Sequence, residues 1–359
     1  MGLRDEILEQ PAAARRHLAG GGEALASIAA EVQARDVDSI VIAARGTSDH
    51  AAIYAQYVFG TRNRISVALA APSIVSLYGV EPRFGRALVI GISQSGASPD
   101  VVGVVAAARR QGAPTIAITN EPGSPLAAAA EHVIELRAGP ELAVAATKTY
   151  TTSLLAIARL SAAMGGAPGA SGALARSEAA RGEAEAQIAA IPDAIEAALT
   201  AEPAVASIAR ELGGIDRAVV LGRGYEYATA REWALKLKEL ARVFADPYSA
   251  ADFRHGPLAL VGPGVPVLAV LPEGPPAPDL MQLLGVLRKD LRADVLVLSD
   301  SPSSRAAGTR SIALPPGVPD WLRPIVSIVP AQLLAYHLTR ATGLDPEAPR
   351  NLQKVTRTR

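Results

Sequence analysis

Two stretches of this chain can be aligned with one another, and this internal repeat constrains the fold more than any other feature. The stretch "DSIVIAARGTSDHAAIYAQYVF" starts at Asp38, and "DRAVVLGRGYEYATAREWALKL" starts at Asp216. Each contains an Asp, a short β-branched strand, an Arg-Gly pair and a segment of helical period. Each strand is a nearly continuous apolar run, which is typical of a parallel sheet covered on both faces. The sequence therefore predicts two tandem α/β domains, each a doubly wound parallel sheet sandwiched by helices.

Further apolar runs extend this pattern through both halves. Strands are predicted at Ile65–Ala70, Ala87–Ile92, Pro114–Thr119, His132–Leu136, Ala218–Leu221, Pro266–Val270, Asp294–Leu298 and Ser311–Leu314, and a late helix at Val326–Thr342. The stretch 151–208 has helical composition, with a Gly-rich break at 165–173. The predicted organisation is an N-terminal helical segment (1–35), a first domain (36–163), a helical connector (164–207), a second domain (208–342) and a tail (343–359).

Charge and composition exclude several classes of partner. Lys+Arg and Asp+Glu each number 35, so we expect no binding to nucleic acid or to an anionic membrane. There is no apolar run of about 18 residues and no export signal at the amino terminus, so a cytoplasmic location is expected. The chain has no cysteine, and its five histidines show no metal-ligand spacing. We therefore expect neither thiol chemistry nor a metal site.

Small polar residues follow two of the predicted strands, at the edge where parallel sheets bind ligands. Helix amino termini there offer unpaired N–H groups to an anion. The candidate binding residues are Gly46, Thr47, Ser48, Ser93, Gln94, Ser95 and Ser98, and Gly96 allows close backbone approach. Ser48 and Ser98 could each be a helix cap, with Pro99 in the first helical position. Four hydroxyl or amide groups within six residues exceed what one cap needs, so the loops predict a phosphate site without lysine or metal.

A nucleotide is less favoured as the ligand, because neither a P-loop nor a dinucleotide-binding glycine motif follows the first strand.

The second half contains the titratable candidates. Glu232, Lys236 and Glu239 are spaced four and three apart, so a helix would place them on one face. The same spacing is typical of a solvated ion-pair stripe, and that alternative stays open. Gly256-Pro257 favours a turn that would hold His255 on a loop. Lys354 lies in a tail too poor in apolar residues to form a core, where a lysine is ordinarily solvated.

Several motifs together resemble the double sugar-isomerase (SIS) domain family. In chain order they are "SQSGASPD", "ELAVAATKTYTT", "ALKLKE", "FRHGPLAL" and "PRNLQKVT". The family includes the isomerase half of glutamine:fructose-6-phosphate aminotransferase (glucosamine-6-phosphate synthase) and stand-alone glucosamine-6-phosphate deaminases. The resemblance implies two tandem SIS domains of flavodoxin-like fold. It also implies that the sugar phosphate binds at the positions of Thr47, Ser48, Ser93, Gln94, Ser95 and Ser98, beside a loop containing Ala146 and Lys148.

The same resemblance implies roles for the titratable residues. Glu239 stands at the base that moves a proton between C1 and C2, and Lys236 at a supporting lysine. His255 stands at the histidine assigned to ring opening, which in the family reaches the site from the neighbouring subunit, so a homodimer is expected. Lys354 stands at a tail lysine that forms a Schiff base with the open-chain ketose, a step that requires an unprotonated amine.

Some positions depart from the synthase pattern and favour a different reaction. Arg45 stands where the synthase has cysteine, Ala97-Ser98 replaces Glu-Thr, Ala146 replaces a serine and Ala251-Asp252 replaces Gly-Glu. These variants resemble the stand-alone deaminases. The chain begins almost at the SIS region and lacks cysteine, so we do not expect it to release ammonia from glutamine. The expected reaction converts glucosamine 6-phosphate and water into fructose 6-phosphate and ammonia, without metal or organic cofactor.

Three other functions stay open on the sequence. Two are enzymatic: a synthase-like aldose-ketose isomerase and a deglycase for a phosphorylated fructosamine. The third is a non-catalytic sugar-phosphate sensor, which would have no need to keep Glu239, His255 and Lys354 together.

Overall fold

The computed structural model of the chain describes residues 2–165 and 178–354. The ten strands in these ranges are β1 (Ser39–Ala43), β2 (Ser66–Leu69), β3 (Ala87–Ile92), β4 (Thr115–Thr119), β5 (His132–Glu135), β6 (Arg217–Gly222), β7 (Phe244–Ser249), β8 (Pro266–Val270), β9 (Asp294–Ser299) and β10 (Arg310–Ala313). Most of the predicted Gly-rich break (166–173) and the tail residues 355–359 lie outside the described residues.

The helices of the described residues precede, connect and follow these strands. They are α1 (Leu3–Leu8), α2 (Gln10–Leu18), α3 (Gly22–Ala34), α4 (Thr47–Val58), α5 (Ser73–Ser76), α6 (Pro99–Arg110), α7 (Pro125–Ala129), α8 (Lys148–Met164), α9 (Glu178–Ala189), α10 (Ile191–Leu199), α11 (Glu202–Glu211), α12 (Glu226–Lys236), α13 (Ala250–Phe253), α14 (Ala277–Lys289), α15 (Pro302–Arg305) and α16 (Arg323–Ala341). The predicted late helix is α16, which begins earlier than expected.

The chain divides into two compact units, each with one sheet. The first-sheet unit consists of Ala12–Glu141, Lys148–Ala190 and Gln353–Arg359. The second-sheet unit consists of Met1–Pro11, Leu142–Thr147 and Ile191–Leu352. Each unit is therefore assembled from separate stretches of chain.

The first sheet is parallel throughout, with strand order β2-β1-β3-β4-β5. Every residue of β3 and β4 is buried, because helices cover both faces of a doubly wound sheet. Ile90 pairs with Ile42 on one side and Ile116 on the other. Burying a side chain of this size contributes about 1.5–3 kcal/mol, so these apolar runs fix the register.

The second sheet repeats this topology with the order β10-β9-β8-β6-β7, again parallel throughout. The predicted strands at Ala87–Ile92 and Pro266–Val270 coincide with β3 and β8, and the other predicted strands agree within one residue at each end. One strand, β7, was not predicted. Its sequence FADPYS contains Pro247, which a strand tolerates at the edge of a sheet but which obscures the sequence signal. The predicted fold class is confirmed.

The internal repeat extends to an unusual helix ending. In the first unit α4 continues into a π-helical turn, Phe59–Asn63, and then Arg64 adopts a left-handed conformation with φ of 59°. In the second unit α12 continues into the π-helical turn Leu237–Ala241, followed by Arg242 with φ of 57°. Such turns are rare and frequently lie at functional sites. Glu239 lies within the second of these π-helical turns. It occupies the position that aligns with Thr61 in the first copy of the repeat.

Candidate functional site

The hydroxyl-rich loops of the first-sheet unit lie at the carboxyl ends of β1 and β3, which are neighbours in the sheet. The strand order reverses direction between these two strands, and ligands of doubly wound sheets bind at this point. After β1, Gly46 has φ of +53° and α4 begins at Thr47. After β3, the loop of residues 93–98 leads into α6, which begins at Pro99. Two helix amino termini therefore meet at one edge of this sheet.

The prediction that Ser98 immediately precedes a helix beginning at Pro99 is confirmed, but its hydroxyl does not cap that helix. The capping alternative for Ser48 is wrong, because Gly46 occupies the N-cap position of α4 and Ser48 lies inside the helix. Ser98 occupies the N-cap position of α6 with extended backbone, but its hydroxyl accepts no hydrogen bond from the N–H groups of that helix. Ser124, before α7, does act as a cap and accepts a hydrogen bond of 3.3 Å from the Ala127 N–H. The fold thus uses a serine cap at one helix and leaves the Ser98 hydroxyl available to a ligand.

The backbone of the 93–98 loop is held in place by the neighbouring loop. The Gln94 carbonyl accepts hydrogen bonds from the Asn120 N–H (3.1 Å) and the Thr119 hydroxyl (3.2 Å). Gly96 has φ of +59°, and a Cβ atom there would lie 2.0 Å from Oγ of Ser124. Only glycine fits at this position. The loop that contains Ser93, Gln94, Ser95 and Ser98 is consequently a rigid frame, in which Ser93 is buried and the Ser95 hydroxyl accepts a 3.3 Å hydrogen bond from the Ala97 N–H.

A charged pair joins the two loops. Nε of Arg45 donates a hydrogen bond of 2.7 Å to Oδ2 of Asp100, in the first turn of α6. The Asp100 side chain is fully buried, whereas that of Arg45 is 46% exposed. Asp100 has no sequence signal for this contact, because an acidic residue in a first helical turn is ordinarily explained by the helix dipole.

The corresponding edge of the second sheet has different chemistry. At the end of β6 the repeat places Tyr225 and Glu226 where the first copy has Thr47 and Ser48. A crevice at the ends of β6 and β8 is lined by the acidic residues Glu226, Glu273 and Asp320 and by the basic residues Arg223 and Arg323. This edge of the second sheet therefore mixes acidic and basic groups where the first sheet has small hydroxyl residues.

Three of the predicted residues around the second π-helical turn form one cluster. Nζ of Lys236 lies 2.5 Å from Oε2 of Glu239 and 3.3 Å from Oε1 of Glu232. Lys236 and Glu232 are buried, and the Glu239 side chain is 22% exposed. Burial opposes the charged form of Lys236, but the carboxylates of Glu232 and Glu239 outweigh it and raise the pKa of this lysine. The expectation of a solvated ion-pair stripe is therefore wrong, and Lys236 is a buried ammonium shared by two carboxylates.

The tail lysine has a partner that no sequence pattern indicates. Nζ of Lys354 donates a hydrogen bond of 2.8 Å to Oε2 of Glu141, whose side chain is fully buried. The same carboxylate accepts hydrogen bonds from the Thr149 N–H (3.0 Å) and the Thr149 hydroxyl (2.7 Å), at the start of α8. Lys148, the first residue of α8, is also buried. Lys354 is thus not a solvated tail lysine.

The remaining predicted residues, His255 and Ala146, have defined positions but no described contact with the other site residues. His255 lies in a turn after α13, where its N–H donates a 2.9 Å hydrogen bond to the Asp252 carbonyl. Its side chain is exposed, and within the described residues its ring makes no hydrogen bond. Ala146 is half-buried and belongs to the second-sheet unit.

Among residues 2–165 and 178–354, no helix is both long enough and apolar enough to cross a membrane.

The repeated doubly wound domain, with small hydroxyl residues at the switch point of one copy, defines a class of phosphosugar-binding α/β protein. A family model described as the SIS domain matches residues 34–163 and 211–340, and the chain belongs to this family. A glutamine–fructose-6-phosphate aminotransferase of Methanothermobacter thermautotrophicus is 37% identical over 97% of this chain and 56% of its own length. The chain thus spans little more than half the length of the curated relatives it matches.

Solved structures agree with this assignment. A provisionally assigned phosphosugar isomerase of Silicibacter pomeroyi superposes with a TM-score of 0.82 and 32% identity, covering 96% of this chain and 100% of that one. A glucosamine-6-phosphate deaminase of Thermotoga maritima superposes with a TM-score of 0.75 over 99% of both chains, and its 22% identity supports the shared fold alone.

Proposed function

We propose that this chain is an isomerising glucosamine-6-phosphate deaminase. It would convert glucosamine 6-phosphate and water into fructose 6-phosphate and ammonia. The observation that carries the proposal is the cluster of Glu239 with Lys236 and Glu232, because a partly exposed carboxylate beside a buried ammonium suits proton transfer between adjacent carbons.

Phosphate binding is assigned to the first-sheet unit. The donors are Thr47, Ser48, Ser93, Gln94, Ser95 and Ser98, with backbone N–H groups at the starts of α4 and α6. The unused hydroxyl of Ser98 and the rigid frame around Gly96 support this assignment, since preorganised donors bind an anion at little entropic cost.

Proton transfer is assigned to Glu239. In the opened sugar, this carboxylate removes the proton on C2, and the resulting enaminol is protonated at C1. The product carries a hydroxymethyl group at C1 and an imine at C2. Water adds to that imine, and the nitrogen leaves as ammonia. Lys236 stays protonated in this scheme, because two carboxylates raise its pKa, and it stabilises charge rather than acting as a nucleophile.

Two further roles come from the family resemblance. His255 would open the sugar ring at the site of a neighbouring subunit, and its exposed ring on a turn suits that role. The active species would then be a homodimer. After passing its proton to Glu141, the carboxylate it already contacts, Lys354 would attack C2 of the product imine in place of water and expel ammonia. Water would then hydrolyse the resulting lysine imine and release fructose 6-phosphate. None of these steps calls for a metal or organic cofactor.

The test is an assay of purified chain with glucosamine 6-phosphate. We expect ammonia and fructose 6-phosphate in equal amounts. The proposed reaction is wrong if the chain forms fructose 6-phosphate from a phosphorylated hexose without releasing ammonia. It is also wrong if the chain binds glucosamine 6-phosphate but does not turn it over.

A second candidate is a synthase-like isomerase, and the names of the curated relatives favour it. This activity would interconvert fructose 6-phosphate and glucose 6-phosphate without releasing nitrogen. Incubating the chain with fructose 6-phosphate alone and measuring glucose 6-phosphate distinguishes the two activities.

A further inference from the structure

Arg45 is a charged residue at the anion-binding edge to which the proposed function gives no role. It lies two residues after the end of β1, and its carbonyl accepts hydrogen bonds from the N–H groups of Ser48 (3.1 Å) and Asp49 (3.3 Å). These contacts make Arg45 part of the turn that starts α4. Its position in the backbone is therefore fixed by the same turn that presents Thr47 and Ser48.

The guanidinium group of Arg45 reaches the other loop. Nε donates to Oδ2 of Asp100, and the second carboxylate oxygen accepts a 2.9 Å hydrogen bond from the Val101 N–H. Asp100 lies two residues after Ser98, the N-cap residue of α6. The cation therefore contacts the first turn of α6, the helix that Ser98 precedes.

One edge of the Arg45 guanidinium group is not used in the contact with Asp100. Nε is occupied by Asp100, and within the described residues Nη1 and Nη2 have no hydrogen-bond partner. With 46% of the side chain exposed, these nitrogens can reach a ligand. The two Nη groups of an arginine match the spacing of two phosphate oxygens.

Charge also favours an anion at this place. A phosphate monoester carries about −1.5 to −2 charges at pH 7. The other predicted donors in the two loops are neutral, and the buried Asp100 would repel the ligand if Arg45 did not neutralise it. Arg45 is thus the group that can distinguish a phosphorylated sugar from a neutral one.

We propose that Arg45 is a specificity-determining residue that donates Nη1 and Nη2 to the phosphate of the sugar while Asp100 holds Nε. The proposal rests on the proposed function and deepens it. The ligand class is a sugar carrying a phosphate dianion, and an unphosphorylated sugar is excluded.

The experiment measures binding by calorimetry with inorganic phosphate and with fructose 6-phosphate. Arg45→Gln keeps a donor for Asp100 and removes the charge, so both affinities fall about tenfold to hundredfold. Arg45→Lys, which keeps the charge but loses the paired donors, weakens binding less. The matched control is Arg86→Gln, because Arg86 is 59% exposed and bonds Asp36 and Asp38 elsewhere in the same unit. It leaves both affinities unchanged.

A double variant separates direct contact from charge neutralisation. Adding Asp100→Asn to Arg45→Gln removes the uncompensated carboxylate, and we expect affinity to stay below that of the wild type. Full recovery would overturn the direct contact, as would wild-type affinity in Arg45→Gln alone. If the wild-type chain bound neither phosphate nor fructose 6-phosphate, the proposed function would fail as well, so the two failures are distinguishable. Thermal melts establish that each variant is folded.

Discussion

Lys354 and Glu141, 213 residues apart in the chain, are joined by a 2.8 Å hydrogen bond between Nζ and Oε2. The carboxylate is fully buried and also accepts two hydrogen bonds from Thr149 at the start of α8. The described end of a tail with little apolar content is thus held by a charged contact. This contact attaches the last described residue to the first-sheet unit.

Replacing this carboxylate should loosen the tail. In Glu141→Gln the charged partner of Lys354 is lost and one acceptor becomes an amide donor, so the free energy of unfolding should fall by roughly 1–3 kcal/mol. Limited proteolysis should also cleave after residue 340 faster than in the wild type. The control is Glu135→Gln, at a side chain 38% exposed and paired with Arg137. Equal proteolysis rates in all three proteins would contradict the role of this contact.

The Schiff-base role of Lys354 can be tested by trapping. Reduction with borohydride in the presence of fructose 6-phosphate should attach the sugar covalently to Lys354, and peptide mapping should locate it there. Lys354→Arg, which keeps the charge and lacks a nucleophilic amine, should give no adduct. An adduct on Lys236 instead would show that the roles of the two lysines have been exchanged.

The base role of Glu239 predicts a separation of binding from turnover. Glu239→Gln should lower kcat for ammonia release by about 10²–10⁴ because the proton acceptor is lost. Affinity for fructose 6-phosphate should change little, since the assigned phosphate donors lie in other loops. Lys238→Gln, at an exposed position in the same π-helical turn, serves as control. Full turnover in Glu239→Gln would remove this residue from the mechanism.

Glu226 predicts a pH dependence of stability. Burial raises its pKa to about 7 from an ordinary value of 4.5, although the hydroxyls of Thr229 and Ser327 donate to it. An acid with a raised pKa in the folded state destabilises the fold as it ionises. The free energy of unfolding should therefore decline from pH 4.5 to about pH 7 and then level off, by on the order of 3 kcal/mol from this group.

Glu226→Gln keeps hydrogen-bonding groups for both hydroxyls and cannot ionise. Urea denaturation at pH 5 and pH 8 should show the variant near wild-type stability at the lower pH and more stable than wild type at the higher one. Glu211→Gln, at a side chain 52% exposed, should show no such difference. If the difference in stability between the wild type and Glu226→Gln did not change with pH, titration of Glu226 would be excluded as the cause.

Strongly apolar, regularly placed segments were predictable from the sequence. β3 and β8 coincide with the predicted ranges because a run of buried residues leaves no other assignment. β7 was missed because an edge strand is pinned by backbone pairing with β6 rather than by its own composition. The π-helical turns were missed for a related reason, since a shift from one carbonyl acceptor to the next leaves no compositional signal.

The candidate site was predictable only where its residues are close in sequence. Glu232, Lys236 and Glu239 share one helix face, and the structure joins them. Glu141 and Asp100 were not found, because each acts through a partner far along the chain, Lys354 and Arg45 respectively. Glu141 stood within the motif "ELAVAATKTYTT", but no spacing rule connects it to the tail.

The second-sheet unit is assembled from separate stretches of chain that are synthesised at different times. The stretch Met1–Pro11 is synthesised well before the sheet it accompanies, which is encoded from Ile191 onward. Glu6 accepts hydrogen bonds from the N–H groups of Leu142 and Ala143, so α1 must wait for translation to pass at least that point. A gene divided between the two SIS repeats would therefore yield one fragment with an orphaned first helix and another without it.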